Sequence, residues 1–210
     1  MLNHTDLGNG RKLQAQILHA LLQGRSPDRS ELLRNGVAAA TRRVWEDLVH
    51  SGAVVVNESG RVVAAYPLSA TPTRHIVEVG SFKTWANCAI DALAVPRMLG
   101  RSGRITSECA HCGTAITIEV AGETVLGTPA SIVVGYGGLA DCCDRPAIEA
   151  RCPYISFFCS TEHADSWVRP GSWVGEFLPL PRAAAVAADR FRSIIDVYRS
   201  VFSPESSWPE

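Results

Sequence analysis

Apolar positions recur at helical spacing through "LQAQILHALLQ" and stop at Gly24, and Ser26 ahead of "DRSELLR" predicts a second, capped helix. "AAATRRVWEDLVHSGA" repeats the helical period and closes at Gly52. The period then drops to two in "AVVVNESGRVVAAYP", a hairpin turning at "NESG". Three helices and a hairpin predict a winged-helix-like N-terminal domain over 1–74.

From about residue 75 the pattern changes. "RHIVEVGSF" predicts a short strand, and "SFKTWANCAIDALAVPRMLG" predicts a helix ended by Gly100 and kinked at Pro96. "GRITSEC", "TAITIEV", "SIVVGYGG" and "PYISFFCS" alternate as strands. Val186, Ala187, Arg190, Phe191, Ile194, Ile195, Tyr198 and Val201 form a mainly apolar stripe on a terminal helix. The fold class expected is α+β, with a second domain over 75–210 built on a mainly antiparallel sheet and flanking helices. Gly135, Gly137 and Gly138 lack a following helix, so "GYGG" reads as a turn and not a phosphate cradle. "STEHADSW" predicts a capped short helix with His163 facing solvent; Trp167 and Trp173 are expected to pack, and residues 1–10 and 203–210 to be loose.

Composition narrows the partners. The chain is 46% hydrophobic and 20% charged with a net charge of -1, a globular profile that gives no reason to expect nucleic acid. Arg42 and Arg43 on the third helix could contact phosphates, but Glu46, Asp47 and Glu58 offset them, and an architectural role for the winged helix is favoured. No apolar run approaches the ~20 residues of a membrane span, and the N-terminal stretch lacks the apolar centre of a signal peptide, so a cytoplasmic location and no membrane partner are expected. Seven cysteines, an odd count, fit metal or thiol chemistry in a reducing compartment better than a disulfide framework.

Cys88 and Asp91 stand three apart, which on a helix places their Cβ atoms about 5–6 Å from one another. A thiol in the first helical turn is biased toward thiolate, and a neighbouring carboxylate can accept its proton. Taken alone, such a pair is more often a buried core thiol and a dipole-favoured aspartate than chemistry. A cysteine hydrolase would need a histidine base, and His75, His111 and His163 have no recognisable context for one.

A longer pattern changes that balance. "WANCAIDALAVPRMLGR", then "ITSECAHCGTAITIEV", then "EARCPYISFFCS" resembles the organomercurial (alkylmercury) lyase family in order and spacing, placing its motif on Cys88, Asp91, Pro96, Gly100, Arg101, Cys152 and Ser160. "LLQGRSPDRSELL" and "YPLSATPTRH" extend the resemblance into the N-terminal part. The resemblance implies a lyase that cleaves carbon–mercury bonds by protonolysis, with Cys88, Asp91 and Cys152 catalytic and in contact with the mercury of substrate and product. Thiolate suits a soft metal, and two of them make the metal-bound carbon basic enough to protonate. Asp91 must then be neutral at transfer, in a pocket that raises its pKa. No organic cofactor or permanent metal is implied; the expected partners are an organomercurial substrate, small thiols and a mercuric reductase accepting Hg(II). Where family members carry an aromatic residue before the first cysteine, this chain has Asn87, with Trp85 further back, which implies a difference in the organic group accepted.

The remaining cysteines are less constrained. "CAHCG" has the form of half a zinc site, and Cys142 with Cys143 could supply the other half, so a structural zinc is conceivable; the favoured reading gives Cys109 a buried structural role. Cys142 and Cys143 could alternatively relay mercury, although an oxidisable loop is the simpler account. Members of the family resemble this sequence at Cys109 but need not carry Cys112, and Cys159 is expected to pack in the core. The rival reading of the whole chain is a non-catalytic, thiophilic-metal-binding or metal-responsive winged-helix regulator.

Overall fold

The computed structural model describes residues 4–34, 42–139, 147–168 and 173–202. Three helices open the chain, α1 (His4–Leu22), α2 (Arg29–Arg34) and α3 (Arg42–His50). The N-terminal end expected to be loose is helical from His4 onward; residues 203–210 lie outside the described residues.

Eight strands follow the order β1-β2-β3-β5-β4-β6-β7-β8 in one antiparallel sheet. They are β1 (Val54–Val56), β2 (Val62–Ala65), β3 (Leu68–Ser69), β4 (His75–Val79), β5 (Phe82–Ala86), β6 (Gly103–Glu108), β7 (Ala115–Ala121) and β8 (Thr124–Thr128). The class is therefore α+β. Pairing of β3 with β5, through Leu68↔Ala86, joins the N-terminal hairpin to the rest of the sheet. In β7 every second residue, Ile116, Ile118 and Val120, is buried, as the period-two pattern requires.

Residues 82–86 depart from the helix expected over 81–100. Gly80 turns the chain at φ 57, and Phe82–Ala86 runs back along β4 with Thr84 and Ala86 buried. The helix proper, α4 (Ala89–Leu99), starts later and ends at Gly100 with φ 66. Every residue of α4 except Arg97 is buried. It packs against the terminal helix α7 (Leu180–Val201), whose buried positions Leu180, Ala183, Ala184, Ala187, Phe191, Ile194, Ile195 and Tyr198 form one face. Arg190 and Val201, part of the expected stripe, are exposed.

A second sheet has the order β10-β9-β11, from β9 (Val133–Leu139), β10 (Phe157–Phe158) and β11 (Trp173–Pro179). The "GYGG" segment is thus strand and not turn. Its glycines permit close strand approach: a Cβ at Gly137 would meet the Val174 carbonyl oxygen at 2.3 Å. "PYISFFCS" is strand only at Phe157–Phe158; Cys152–Tyr154 is a 3₁₀ turn, because Pro153 cannot donate to a ladder. That turn follows α5 (Ala147–Ala150), and β10 is followed by α6 (Thr161–Trp167), capped by Ser160 as its sequence predicts. Trp167 and Trp173 do pack, edge to face at 6.4 Å.

Candidate active site

Chain geometry brings Cys88, Asp91 and Cys152 together. Leaving β5, the chain reaches Cys88 in extended conformation (φ -153, ψ 176) as the N-cap of α4, one position before the helical turn expected for it. Its Sγ accepts from the Asp91 backbone N–H at 3.4 Å. The next residue, Ala89, donates its N–H to the Ile155 carbonyl at 3.0 Å, and Ile155 in turn donates to the Cys152 carbonyl at 3.2 Å. The start of α4 is thereby stapled to the turn that carries Cys152. The two sulfurs and a carboxylate oxygen all lie within 4.8 Å of one another, and all three residues are buried.

Burial sets the protonation states. Asp91 is 1% exposed and its Oδ2 has no hydrogen-bond partner. Burial and then the Cys152 sulfur raise its pKa well above the usual carboxylate range; Cys88, Arg190 and Asn87 pull the other way without offsetting them. Both effects favour the neutral form of the Asp91 carboxyl, which is held next to sulfur. The Cys88 thiol is also pushed up, chiefly by burial and by its hydrogen bond to Cys152. This runs against the bias toward thiolate expected of a thiol in the first helical turn. Cys152 is the more readily ionised thiol: donation from Cys88 comes first, outweighing burial, and with Tyr66 and Arg190 it brings the Cys152 thiol down to about 7.

Two contributors escaped sequence reasoning. Tyr66 Oη lies 3.2 Å from Cys152 Sγ, and burial, followed by the Cys152 charge, pushes the phenol up so that it stays protonated and donates. Arg190 is the one cation on the otherwise apolar stripe of α7, which was its only signal in the sequence. With Tyr136, Arg151 and Ile155 it lines a cleft of about 500 Å³ alongside the Cys152 turn. Asn87 donates to the Leu68 carbonyl at 3.2 Å, tying the residue before Cys88 to β3.

Among the described residues no histidine joins this group. His75 is buried, bonded to Ser107 Oγ at 3.0 Å, and burial lowers its pKa to about 3. His163, expected to face solvent, sits instead with its Nδ1 2.9 Å from Cys159 Sγ, and Cys159 is half-buried at the core's edge. These two join Cys109 and Cys112 in a second cluster. Cys109 is buried as expected; Cys142 and Cys143 lie outside the described residues.

Two thiols and a carboxyl converging in a closed, apolar setting make a site able to hold a thiophilic metal ion. A family model for alkylmercury lyase matches residues 68–192. An alkylmercury lyase of Pseudomonas putida is 30% identical over 169 residues, covering 80% of this chain and 77% of that protein. One of Streptomyces lividans is 30% identical over 155 residues, 72% of this chain and 69% of its own. The fold matches a crystal structure of the mercury-bound form of MerB2 with TM-score 0.69 and 23% identity, over 91% of this chain and 99% of that one. The chain belongs to the alkylmercury lyase family. Among the described residues no helix is long and apolar enough to cross a membrane.

Proposed function

We propose that the protein is an organomercurial lyase that cleaves carbon–mercury bonds by protonolysis, with Cys88, Cys152 and Asp91 as its catalytic groups. The observation that carries this reading is the buried trio of two sulfurs and a carboxyl within 4.8 Å, in surroundings that favour the neutral acid. The Cys152 thiolate displaces the exchangeable ligand of R–Hg–X, forming R–Hg–S and releasing X⁻. Cys88 then bonds the same mercury; its thiol proton passes to the Asp91 carboxyl group as Asp91 gives its own to the organic carbon. R–H departs, leaving mercury on two thiolates and Asp91 protonated as at the start. Two small thiols remove Hg(II) as its bis-thiolate; one of their protons restores the Cys88 thiol, the other goes to solvent as Cys152 returns to thiolate, and a mercuric reductase is the downstream acceptor. No organic cofactor or permanent metal enters these steps.

The N-terminal residues 1–74 are proposed to form a winged-helix-like domain that supplies Tyr66 to the catalytic unit of 75–210. The protein would act in the cytoplasm, in mercury detoxification, without nucleic acid or membrane as partner. Anaerobic incubation of the reduced protein with phenylmercuric or methylmercuric salt and excess small thiol is expected to release benzene or methane, followed by gas chromatography beside a Cys152→Ala control. Mercury uptake with no hydrocarbon above that control would overturn the lyase reading.

Tyr66→Phe tests the electrostatics. Removing the donor leaves the Cys152 thiolate less stabilised, so its pKa rises from about 7 toward the ordinary thiol range. The acid limb of kcat/KM against pH, which reports the free enzyme, is expected to move to higher pH. Activity should fall several-fold below the shifted pKa and recover above it; a profile unmoved from wild type would remove Tyr66 from this role.

A further inference from the structure

Four ligand-bearing side chains outside the catalytic trio meet at one end of the sheet. The turn from β6 to β7 carries Cys109 and Cys112, and β10 leads through Cys159 into α6, which carries His163. Residues separated by 54 positions in the chain, Cys109 and His163, approach to 3.9 Å between Sγ and Nδ1. Cys112 and Cys159, 47 positions apart, place their sulfurs 3.7 Å from one another, and Cys159 Sγ lies 2.9 Å from His163 Nδ1. All four ligand atoms fall within 4.8 Å of each other. In a tetrahedral site with metal–sulfur bonds of about 2.3 Å, sulfurs are separated by about 3.8 Å, the edge of the tetrahedron.

The backbone is shaped for this. Cys109 donates its N–H to the Thr114 carbonyl at 2.8 Å, and Gly113 donates to the Cys109 carbonyl at 2.9 Å. Gly113 has φ +74, a left-handed conformation that lets the C-x-x-C-G loop close tightly. Ser160 caps α6, accepting from the His163 N–H at 3.3 Å, and so holds the first turn of the helix, with His163, against Cys159 just ahead of it. Core packing explains Cys109 but not Cys112, which is exposed, nor an imidazole nitrogen turned onto a thiol.

We infer that Cys109, Cys112, Cys159 and His163 form a four-coordinate Cys₃His site for a tetrahedral divalent ion of the zinc class, separate from the catalytic trio. Three thiolates and a neutral imidazole satisfy such an ion with no open position, so its role is structural. Binding releases the three thiol protons. The ion links the β6–β7 turn to β10, whose Phe157 carbonyl already accepts from Ala110 at 3.0 Å, and so steadies the short segment that follows Cys152. It also keeps these thiols occupied while mercury passes through the catalytic site.

The full-length protein, purified under a non-chelating reductant and freed of loose metal, is expected to retain a single zinc by elemental analysis. Cobalt(II) exchanged for it should give the intense visible bands of tetrahedral thiolate coordination. Cys112→Ser and His163→Gln, both at non-core positions, should each weaken zinc retention at least about tenfold while circular dichroism shows the fold intact. The Cys88→Ala/Cys152→Ala double variant should keep the zinc. Reduced wild type that takes up neither zinc nor cobalt on reconstitution would overturn the inference, as would zinc lost only from the double variant, which would place the metal in the catalytic site.

Discussion

Asp91→Asn is expected to take up organomercurial and to release hydrocarbon about 10²–10⁴-fold more slowly than wild type, the range typical of losing a positioned general acid. Asparagine keeps the volume of a side chain that is 1% exposed, so the two sulfurs stay in place to hold the metal. What it removes is the transferable proton. Burial holds the Asp91 carboxyl in its acid form beside Cys88, and an amide cannot supply a proton to carbon or collect one from the Cys88 thiol. Single-turnover gas chromatography, paired with mercury analysis of the protein, separates capture from cleavage. Release near the wild-type rate would mean that the proton comes from elsewhere, Tyr66 being the other protonated group in contact with the trio.

This division of labour was partly legible in the sequence. Cys88 and Asp91 are neighbours by local geometry alone, since a spacing of three puts two side chains on adjacent turns of a helix wherever the chain is later placed. Cys152 has no such signal: it lies on a turn interrupted by Pro153, and only the resemblance to a family singled it out. Tyr66 and Cys152 are 86 positions apart, and their contact exists only because β3 pairs with β5 and the Cys152 turn is stapled to α4. Pattern reading cannot reach a contact made by sheet order.

The same limit shaped the fold. β5 was folded into the following helix because "FKTWA" is too short to show its own period, and the turn at Gly80 that separates it is a backbone property. The glycines of β9 read as a turn by composition, yet their function is to let β11 approach closely. In the second cysteine cluster, "CAHCG" has the form of one half of a ligand set, while Cys142 and Cys143, which could supply the other half, lie outside the described residues. The structure sets Cys159, just after β10, and His163 of α6 beside Cys109 and Cys112, a meeting that no local spacing announces.

The asymmetry between the two catalytic thiols yields the second large effect. Cys88→Ala and Cys152→Ala should each lower hydrocarbon release by at least about 10³-fold, the scale on which a member of a catalytic unit fails. They should fail at different steps. Cys152, with its thiol brought to about 7 by Cys88, Tyr66 and Arg190, is the thiolate that meets substrate first, whereas burial keeps Cys88 protonated until mercury arrives. Cys88→Ala should therefore accumulate protein carrying intact R–Hg on Cys152, seen by mass spectrometry and peptide mapping. Its capture rate should lag wild type near neutral pH, because the Cys88 donation that lowers the Cys152 pKa is gone. Cys152→Ala should carry no such adduct in the catalytic site at matched exposure. Mapping must separate this site from Cys109, Cys112 and Cys159, which are occupied when zinc is bound. An intact adduct on Cys88 in the Cys152 variant, formed at the wild-type rate, would reverse the order and make the buried thiol the point of capture.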